Sequence, residues 1–192
     1  MSATDRLFFA LFPDATTAAR VYALQQDLRV RHGLWGRPLA MDRLQVTLCH
    51  LGDYHGLAHA IVAKAREAAA GVSSLPFDVT FDRAQTFAGR ARNRPFVLRG
   101  KTGADVEAFQ RKLCAELVMC GLGRFAKPYT PHMTLLYDSA EVAEHAIEPV
   151  TWTASSFRLV HSLLGQTRHD TLGEWRFDQA HQAAAQELVR TG

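Results

Sequence analysis

The order of apolar and polar residues along the chain predicts short strands separated by helices. Residues 6–12 form an aromatic-rich apolar run that ends at Pro13, which is typical of a buried strand. Residues 43–50 alternate between apolar and polar side chains, as a strand with one buried face does. A helix is predicted between them, because four apolar residues recur at helical spacing: Ala18, Val21, Leu24 and Leu28.

This strand–helix–strand order occurs a second time, at residues 95–137. Phe9 and Gln45 are separated by 36 positions (45 − 9), and Phe96 and His132 by the same number (132 − 96). The second strand of each unit carries a threonine followed by a leucine, in QVTL and in HMTL. Two similar α+β lobes that face each other across a pseudo-twofold cleft are therefore expected.

The remaining segments extend this arrangement. Strands are predicted at residues 75–84, 157–164 and 172–177, and a second helix at residues 57–71. We expect a single bilobal domain over residues 1–192, with lobes at approximately 6–85 and 90–177 that exchange strands, and a C-terminal tail at 178–192.

Composition narrows the class of protein. No apolar run of the 192 residues approaches the roughly 18–20 residues of a membrane helix, and the early run from Leu7 is too short for a signal-peptide core, so a cytoplasmic location is expected. The three cysteines form no CxxC pair and are expected to be free, buried thiols in a reducing compartment. A net charge of +3 suits a small anionic ligand better than long nucleic acid.

His132 and Thr134 place an imidazole and a hydroxyl on the same face of a predicted strand. An imidazole transfers protons near neutral pH, and a threonine hydroxyl can donate to a phosphate oxygen. Two such strands facing each other would supply both an acid and a base for displacement at phosphorus. The HxT pattern alone is a weak signal, because a single strand histidine is more often structural.

Longer segments carry a resemblance to a known family. RLFFALFPD resembles its opening strand, LQVTLCHLGDY and KPYTPHMTLLYD resemble its two motifs, and FRLVHSLLGQTRHDTLGEW resembles its closing strands. On these segments, which run from about residue 6 to residue 177, the chain resembles the two-histidine phosphoesterases, the RNA 2′,3′-cyclic phosphodiesterases also called 2′-5′ RNA ligases. The resemblance implies an α+β fold of two duplicated strand–helix–strand lobes whose antiparallel sheets face a central cleft.

The resemblance also implies an activity and a set of roles. The family hydrolyses 2′,3′-cyclic phosphate ends of RNA to 2′-phosphates without a metal ion or other cofactor. His132 would be the base that activates water, the residue at position 45 would be the acid, and Thr47 and Thr134 would hold the phosphate. The expected ligands are RNA ends or small cyclic nucleotides, with no membrane partner, and a monomer is expected.

Position 45 departs from the family's first motif, because Gln45 stands where the resemblance implies a histidine. A carboxamide can hydrogen-bond but cannot deliver a proton near neutral pH. The chain is then a weak enzyme, a degenerate module that binds phosphate or an RNA end, or an enzyme in which a substitution traps the substrate. His50 is not expected to replace the acid, because it lies five residues further on, which predicts the opposite strand face and a distance of roughly 17 Å.

The second motif lacks the arginine that the resemblance implies after HxTL, since Leu136, Tyr137 and Asp138 follow instead. Other groups must then meet the phosphate charge or the bases. A metal-dependent hydrolase that uses the histidine-rich segment 50–59 is a third hypothesis, although His55 and His59 are expected to be surface residues and no metal site is predicted. The candidate RNA contacts are Arg90, Arg92, Arg94, Arg124, Lys127, Tyr129 and Phe9.

Overall fold

The computed structural model describes residues 3–90, 92–100, 104–127 and 129–177, so the predicted tail at 178–192 lies outside the described residues. Within the described part of the chain there are three helices, α1 (Ala15–Arg31), α2 (His59–Gly71) and α3 (Ala104–Met119). The same part contains eight strands, namely β1 (Asp5–Leu11), β2 (Val46–Tyr54), β3 (Phe77–Thr86), β4 (Arg94–Arg99), β5 (Met133–Asp138), β6 (His145–Ala154), β7 (Ser156–Leu163) and β8 (Arg168–Arg176).

The strands are antiparallel throughout and follow the order β6-β3-β4-β5-β2-β1-β7-β8. The sheet is continuous, but its two four-stranded halves meet in one residue pair, Val46 with Met133, between β2 and β5. The expectation of an α+β fold with duplicated strand–helix–strand units and antiparallel strands is confirmed. The two expected sheets are joined at this narrow contact into one.

The pattern of apolar residues located the three helices and seven of the eight strands described, with shifts of a few residues at their ends. Strand β6 was missed. Only its second half alternates, with Val150, Trp152 and Ala154 buried, and Pro149 interrupts its ladder of backbone donors. Because β6 is an edge strand, the missing N–H of Pro149 costs little.

One face of the sheet and the three helices enclose the main core. Alternate residues of β1 separate the two faces, since Phe9 packs in the main core whereas Phe8 belongs to a small apolar cluster on the other face. Asp14 begins α1 by accepting a hydrogen bond from the backbone N–H of Thr17 at 2.9 Å. None of the helices among the described residues combines the length and apolar character needed to cross a membrane.

Each of the two central strands contains a β-bulge at the same place. In β2, Thr47 pairs with Ala10 and Cys49 pairs with Phe9, so that Leu48 is the extra residue. In β5, Leu135 is the extra residue, because Phe96 pairs with Leu136 and Val97 with Thr134. In both strands, the side chains after the bulge therefore point to the opposite face from the one that regular alternation predicts. Equivalent residues of β2 and β5 thus still face the same way.

The backbone carbonyls of both bulged residues have hydrogen-bond partners. The side-chain amide of Gln110 on α3 donates to the carbonyl of Leu48 at 2.6 Å, and the backbone N–H of Leu39 donates to the carbonyl of Leu135 at 2.8 Å. A bulge leaves such a group outside the regular ladder, and a buried carbonyl without a partner is costly. These two contacts therefore stabilise the bends of β2 and β5.

The loop between α1 and β2 is held against the end of β5. The carboxylate of Asp138 accepts the backbone N–H groups of Trp35 and Gly36 at 2.7 and 2.6 Å. A side chain at position 36 would place its Cβ 2.1 Å from the carbonyl oxygen of Tyr137, so only glycine fits there. This contact positions the segment that leads into β2.

We expect Gln110→Leu to lower the free energy of unfolding by about 1–3 kcal/mol, because the buried carbonyl of Leu48 loses its donor. Urea denaturation measures the change. The matched control is Gln26→Leu at a half-buried position of α1, which we expect to stay within about 0.5 kcal/mol of the unchanged chain. Equal stability of the Gln110 variant and the unchanged chain would contradict the importance of this contact.

Candidate active site

Gln45, Thr47, His132 and Thr134 line one cavity of about 580 Å³ at the junction of the two halves. Val46 and Met133 alternate with these residues and are fully buried in the main core. Strand alternation therefore directs the four polar side chains away from the core. The two HxT-like segments share one pocket, as the repeat predicted.

The antiparallel pairing of Val46 with Met133 determines which of the four are neighbours. Thr47 is adjacent to His132 across the strands, and Gln45 is adjacent to Thr134. Positions 45 and 132 therefore lie on a diagonal, with the two threonines on the other diagonal. A ligand at the centre would have a hydroxyl donor on two sides and a proton-transfer position on each of the other two.

The hydrogen bonds of His132 define its tautomer. Its Nδ1 lies 2.8 Å from the carbonyl oxygen of Thr130, and because a carbonyl only accepts, Nδ1 carries the proton. The Nε2 lone pair then accepts the hydroxyl of Tyr129 at 3.2 Å. Burial lowers the pKa of His132 below its ordinary value of 6.5, so that the ring is neutral at neutral pH. A neutral imidazole whose Nε2 is a hydrogen-bond acceptor is suited to act as a base.

Tyr129 connects the two motifs. Its ring stacks on the ring of His132 with the centroids 5.1 Å apart, and Phe87 contacts the same imidazole edge-on at 4.9 Å. Burial raises the pKa of Tyr129 to about 12, with hydrogen bonding by Thr47 acting in the opposite direction. The Tyr129 hydroxyl is therefore protonated at neutral pH and is placed between Thr47 and His132.

Comparison with known protein families shows which family the chain belongs to. The model of the 2′-5′ RNA ligase superfamily matches residues 13–186 of the chain. This chain belongs to that superfamily. It is 29% identical over 189 residues to the RNA 2′,3′-cyclic phosphodiesterase of Escherichia coli (strain K12), a match that covers 93% of the chain and 100% of the relative.

Solved structures give the same fold. The structure of Escherichia coli LigT complexed with 3′-AMP superimposes with a TM-score of 0.68 at 25% identity and covers 93% of this chain and 100% of that one. The complex of LigT with phosphate gives a TM-score of 0.67 at 25% identity, with the same coverage of both chains. TT0787 of Thermus thermophilus, at 21% identity and a TM-score of 0.69, shares the fold over 90% of this chain and 97% of its own.

His50 lies in the cleft of this superfamily member, contrary to the expectation that it faces away. Because the bulge at Leu48 shifts the alternation by one residue, Thr47 and His50 face the same side, and His50 lines the same cavity. Its Nε2 lies 3.0 Å from the carboxylate of Asp53. The bulge at Leu135 places Tyr137 in the equivalent position on β5, and it also lines the cavity.

None of the five basic residues considered as RNA contacts is among the described residues that line this cavity. Arg90 and Arg92 are exposed in the loop before β4, and Arg94 donates to the backbone carbonyl of Ser139 at 3.0 Å. Arg124 and Lys127 are exposed at a neighbouring depression of about 500 Å³, which shares His50 and Tyr129 with the cleft.

The side chain of Phe9 on β1 is completely buried against aromatic rings of β7 and β8, so the expectation that it could stack on a base is wrong. Its neighbour Phe8 lines the cavity instead, because adjacent strand residues point to opposite faces. Tyr129 lines the cavity, and its contact with RNA stays a prediction.

The described residues that line the cavity include two arginines and no carboxylate. Arg6 is neutralised by Asp53, to which its Nε and Nη2 donate at 2.7 and 2.8 Å. Arg43 and His169, which the sequence did not single out, are the other basic groups of interest, and Arg43 Nη2 lies 3.3 Å from His169 Nε2. Three buried polar atoms at this end of the cleft have no hydrogen-bond partner among the described residues: Gln45 Oε1, Arg43 Nε and His169 Nδ1.

The cysteines are free thiols, as expected, but only Cys49 is buried, whereas Cys114 and Cys120 are half-buried. Burial raises the pKa of Cys49 to about 12, and its thiol donates to the carbonyl of Phe125 at 3.1 Å. Cys49 is therefore no nucleophile at neutral pH. Among the described residues, no group of three or more histidine, cysteine, aspartate or glutamate side chains is arranged to hold a metal ion.

The lowered pKa of His169 predicts that the protein loses stability as the solution becomes acidic. Burial and the nearby Arg43 lower the pKa of His169 from 6.5 to about 4, so the unfolded chain binds a proton more readily between these values. The stabilisation that comes from a neutral His169 is fully present above pH 6.5 and declines as pH falls toward 4. Urea denaturation over this range should show a shallower decline for His169→Phe than for the unchanged chain.

The variant isolates this residue because His32 and His132, whose pKa values are also lowered, contribute with the same sign in both proteins. Identical slopes of unfolding free energy against pH would show that neutral His169 is not favoured by the fold.

Proposed function

We propose that this protein hydrolyses 2′,3′-cyclic phosphate ends of RNA, or of small nucleotides, to 2′-phosphates without a metal ion, and does so slowly because of Gln45. The observation that carries the proposal is the convergence of Gln45, Thr47, His132 and Thr134 on one cavity. The name of the Escherichia coli relative, RNA 2′,3′-cyclic phosphodiesterase, supports the reaction. The complexes of LigT with 3′-AMP and with phosphate support a ligand of this class.

His132 is the general base of the proposed reaction. Its Nδ1 proton is held by Thr130, so Nε2 is the atom that takes a proton from the attacking water. The water oxygen forms a bond to phosphorus, the bond from phosphorus to the 3′-oxygen breaks, and that oxygen takes a proton from solvent water, so that a 2′-phosphate with a 3′-hydroxyl results. The lowered pKa of His132 keeps this base available below neutral pH.

Thr47 and Thr134 hold the phosphate in this proposal. Their hydroxyl groups lie on opposite corners of the site and can donate to two different phosphate oxygens. Charge develops on these oxygens as water attacks, and donors that are already positioned stabilise it. Tyr129 supports Thr47 and His132 together, which keeps the phosphate site and the base in register.

Gln45 occupies the corner diagonal to His132, where the leaving oxygen needs a proton. Its amide can donate a hydrogen bond to that oxygen but retains its proton, so the leaving group departs with little assistance. A second candidate function, a module that binds phosphate or an RNA end without turnover, follows from the same residue. Restoration of an ionisable group at position 45 separates the two.

We expect Gln45→His to raise kcat by about 10²–10⁴, because the leaving oxygen then receives a proton from a general acid. The assay follows conversion of a 2′,3′-cyclic phosphate RNA end to a 2′-phosphate in EDTA. His132→Gln in the same background should abolish the gain, since the base is lost. Binding of the 2′-phosphate product without turnover by both forms would favour the binding module, and full inhibition by EDTA would contradict a metal-independent reaction.

The pH profile should report the two proton-transfer groups separately. For the unchanged chain we expect kcat/KM to fall only on the acid side, below pH 6.5, because His132 must be neutral and its pKa is lowered. Gln45→His should add a fall on the alkaline side and give a bell-shaped profile. An alkaline fall that is already present in the unchanged chain, and that disappears in His50→Gln, would make His50 the acid and contradict the role of position 45.

A further inference from the structure

The half of the cleft that contains Gln45 has a cation that forms no ion pair with a carboxylate in the part of the chain that the structure describes. Arg43 ends a short 3₁₀ turn, Met41–Arg43, two residues before Gln45, and lines the cavity. None of the ion pairs found among the described residues involves Arg43. By contrast, Arg6 is held in a two-point contact by Asp53. Arg43 therefore contributes a positive charge without a close ion-pair partner to a cleft whose described lining contains no carboxylate.

His169 orients this guanidinium. An arginine only donates, so the 3.3 Å contact makes His169 Nε2 the acceptor and leaves its proton on Nδ1. The imidazole is also in edge contact with Phe8, with ring centroids 5.5 Å apart. Phe8 and Arg43 thus hold the ring between them, and the ring in turn fixes where the guanidinium can point.

Two buried N–H groups in this pair lack partners, Arg43 Nε and His169 Nδ1, and so does the amide oxygen of Gln45. Buried polar groups are normally satisfied, and those that are not often mark a place where a ligand or water belongs. Donors on a cation beside an imidazole N–H suit an anion. A small shift of the Arg43 side chain on binding would satisfy its donors at the cleft.

We propose that Arg43, positioned by His169, is the cation that binds the phosphate of the ligand in this cleft. The proposal rests on the proposed function for the identity of the ligand as a phosphate. A cation at position 43 is also consistent with the uncharged Tyr137, which lines the cavity on β5, where the second motif provides no arginine. The charge is supplied from the segment before β2 instead of from β5. Arg43 contacts the ligand, and His169 is a positioning residue.

The test is the affinity for inorganic phosphate and for adenosine 2′-monophosphate, measured by isothermal titration calorimetry. We expect Arg43→Gln to weaken both by about tenfold or more, because a charge-assisted contact to phosphate is lost. Arg20→Gln is the matched control, since it removes the same charge from an exposed position of α1, and it should change affinity less than twofold. Equal affinities of the Arg43 variant and the unchanged chain would overturn the proposal.

The positioning role of His169 is tested by a double-mutant cycle. His169→Phe keeps a ring against Phe8 but removes both nitrogens, and should weaken phosphate binding several-fold in the unchanged chain. In the Arg43→Gln background the same substitution should have no further effect, because its action passes through Arg43. Additive losses, or no loss, would contradict a positioning role. Thermal unfolding of each variant establishes that it is folded.

The binding result is separable from the proposed hydrolysis. If His132→Gln abolishes the turnover of Gln45→His while Arg43→Gln binds phosphate normally, the hydrolase stands and Arg43 has another role. If the unchanged chain shows no measurable affinity for phosphate, the inference about Arg43 fails regardless of turnover. If phosphate binds through Arg43 but position 45 cannot restore turnover, the binding module stands and the hydrolase fails.

Discussion

A single antiparallel residue pair, Val46 with Met133, joins the two halves of the sheet, and the geometry of the cleft depends on it. Both side chains enter the main core, which forces their neighbours at positions 45, 47, 132 and 134 to the other face. A slip of one residue in this pairing would bury the polar residues and expose the apolar ones. The burial of Val46 and Met133 therefore stabilises the fold and aligns the site at the same time.

The electrostatics of the cleft follow from this geometry. Burial keeps His132 and His169 neutral at neutral pH, because desolvation penalises the charged imidazole. Arg6 is compensated by Asp53, so the positive charge available to a ligand comes chiefly from Arg43. The described lining of the cleft thus combines a cation without a close ion-pair partner, a neutral imidazole and several hydroxyl groups, those of the two threonines among them. This combination suits a small phosphate better than an extended polyanion.

The sequence predicted what depends on local periodicity and on the repeat. The three helices, seven strands and the shared position of Thr47 and Thr134 follow from the spacing of apolar residues. The position of His50 could not be predicted, because alternation assumes an unbroken ladder and the bulge at Leu48 is stabilised by Gln110, which is distant in sequence.

The basic residues also show that local sequence patterns do not predict contacts between segments that are distant in the chain. Clustered arginines in the loop before β4 suggest an RNA contact because they are adjacent in sequence, yet they lie outside the cleft. Arg43 and His169 are 126 residues apart and meet only through the pairing of β1 with β7 and of β7 with β8. No local sequence pattern predicts such a contact, because the contact depends on the order of strands in the sheet.

A crystal structure of the His132→Gln variant with a 2′,3′-cyclic nucleotide bound tests directly where the phosphate binds. We expect the phosphate to lie between Thr47 and Thr134, with its oxygens about 2.5–3.0 Å from both hydroxyls and the 3′-oxygen toward Gln45. A phosphate seated in the depression beside Arg124 and Lys127, with the space between the two threonines left to solvent, would contradict this expectation.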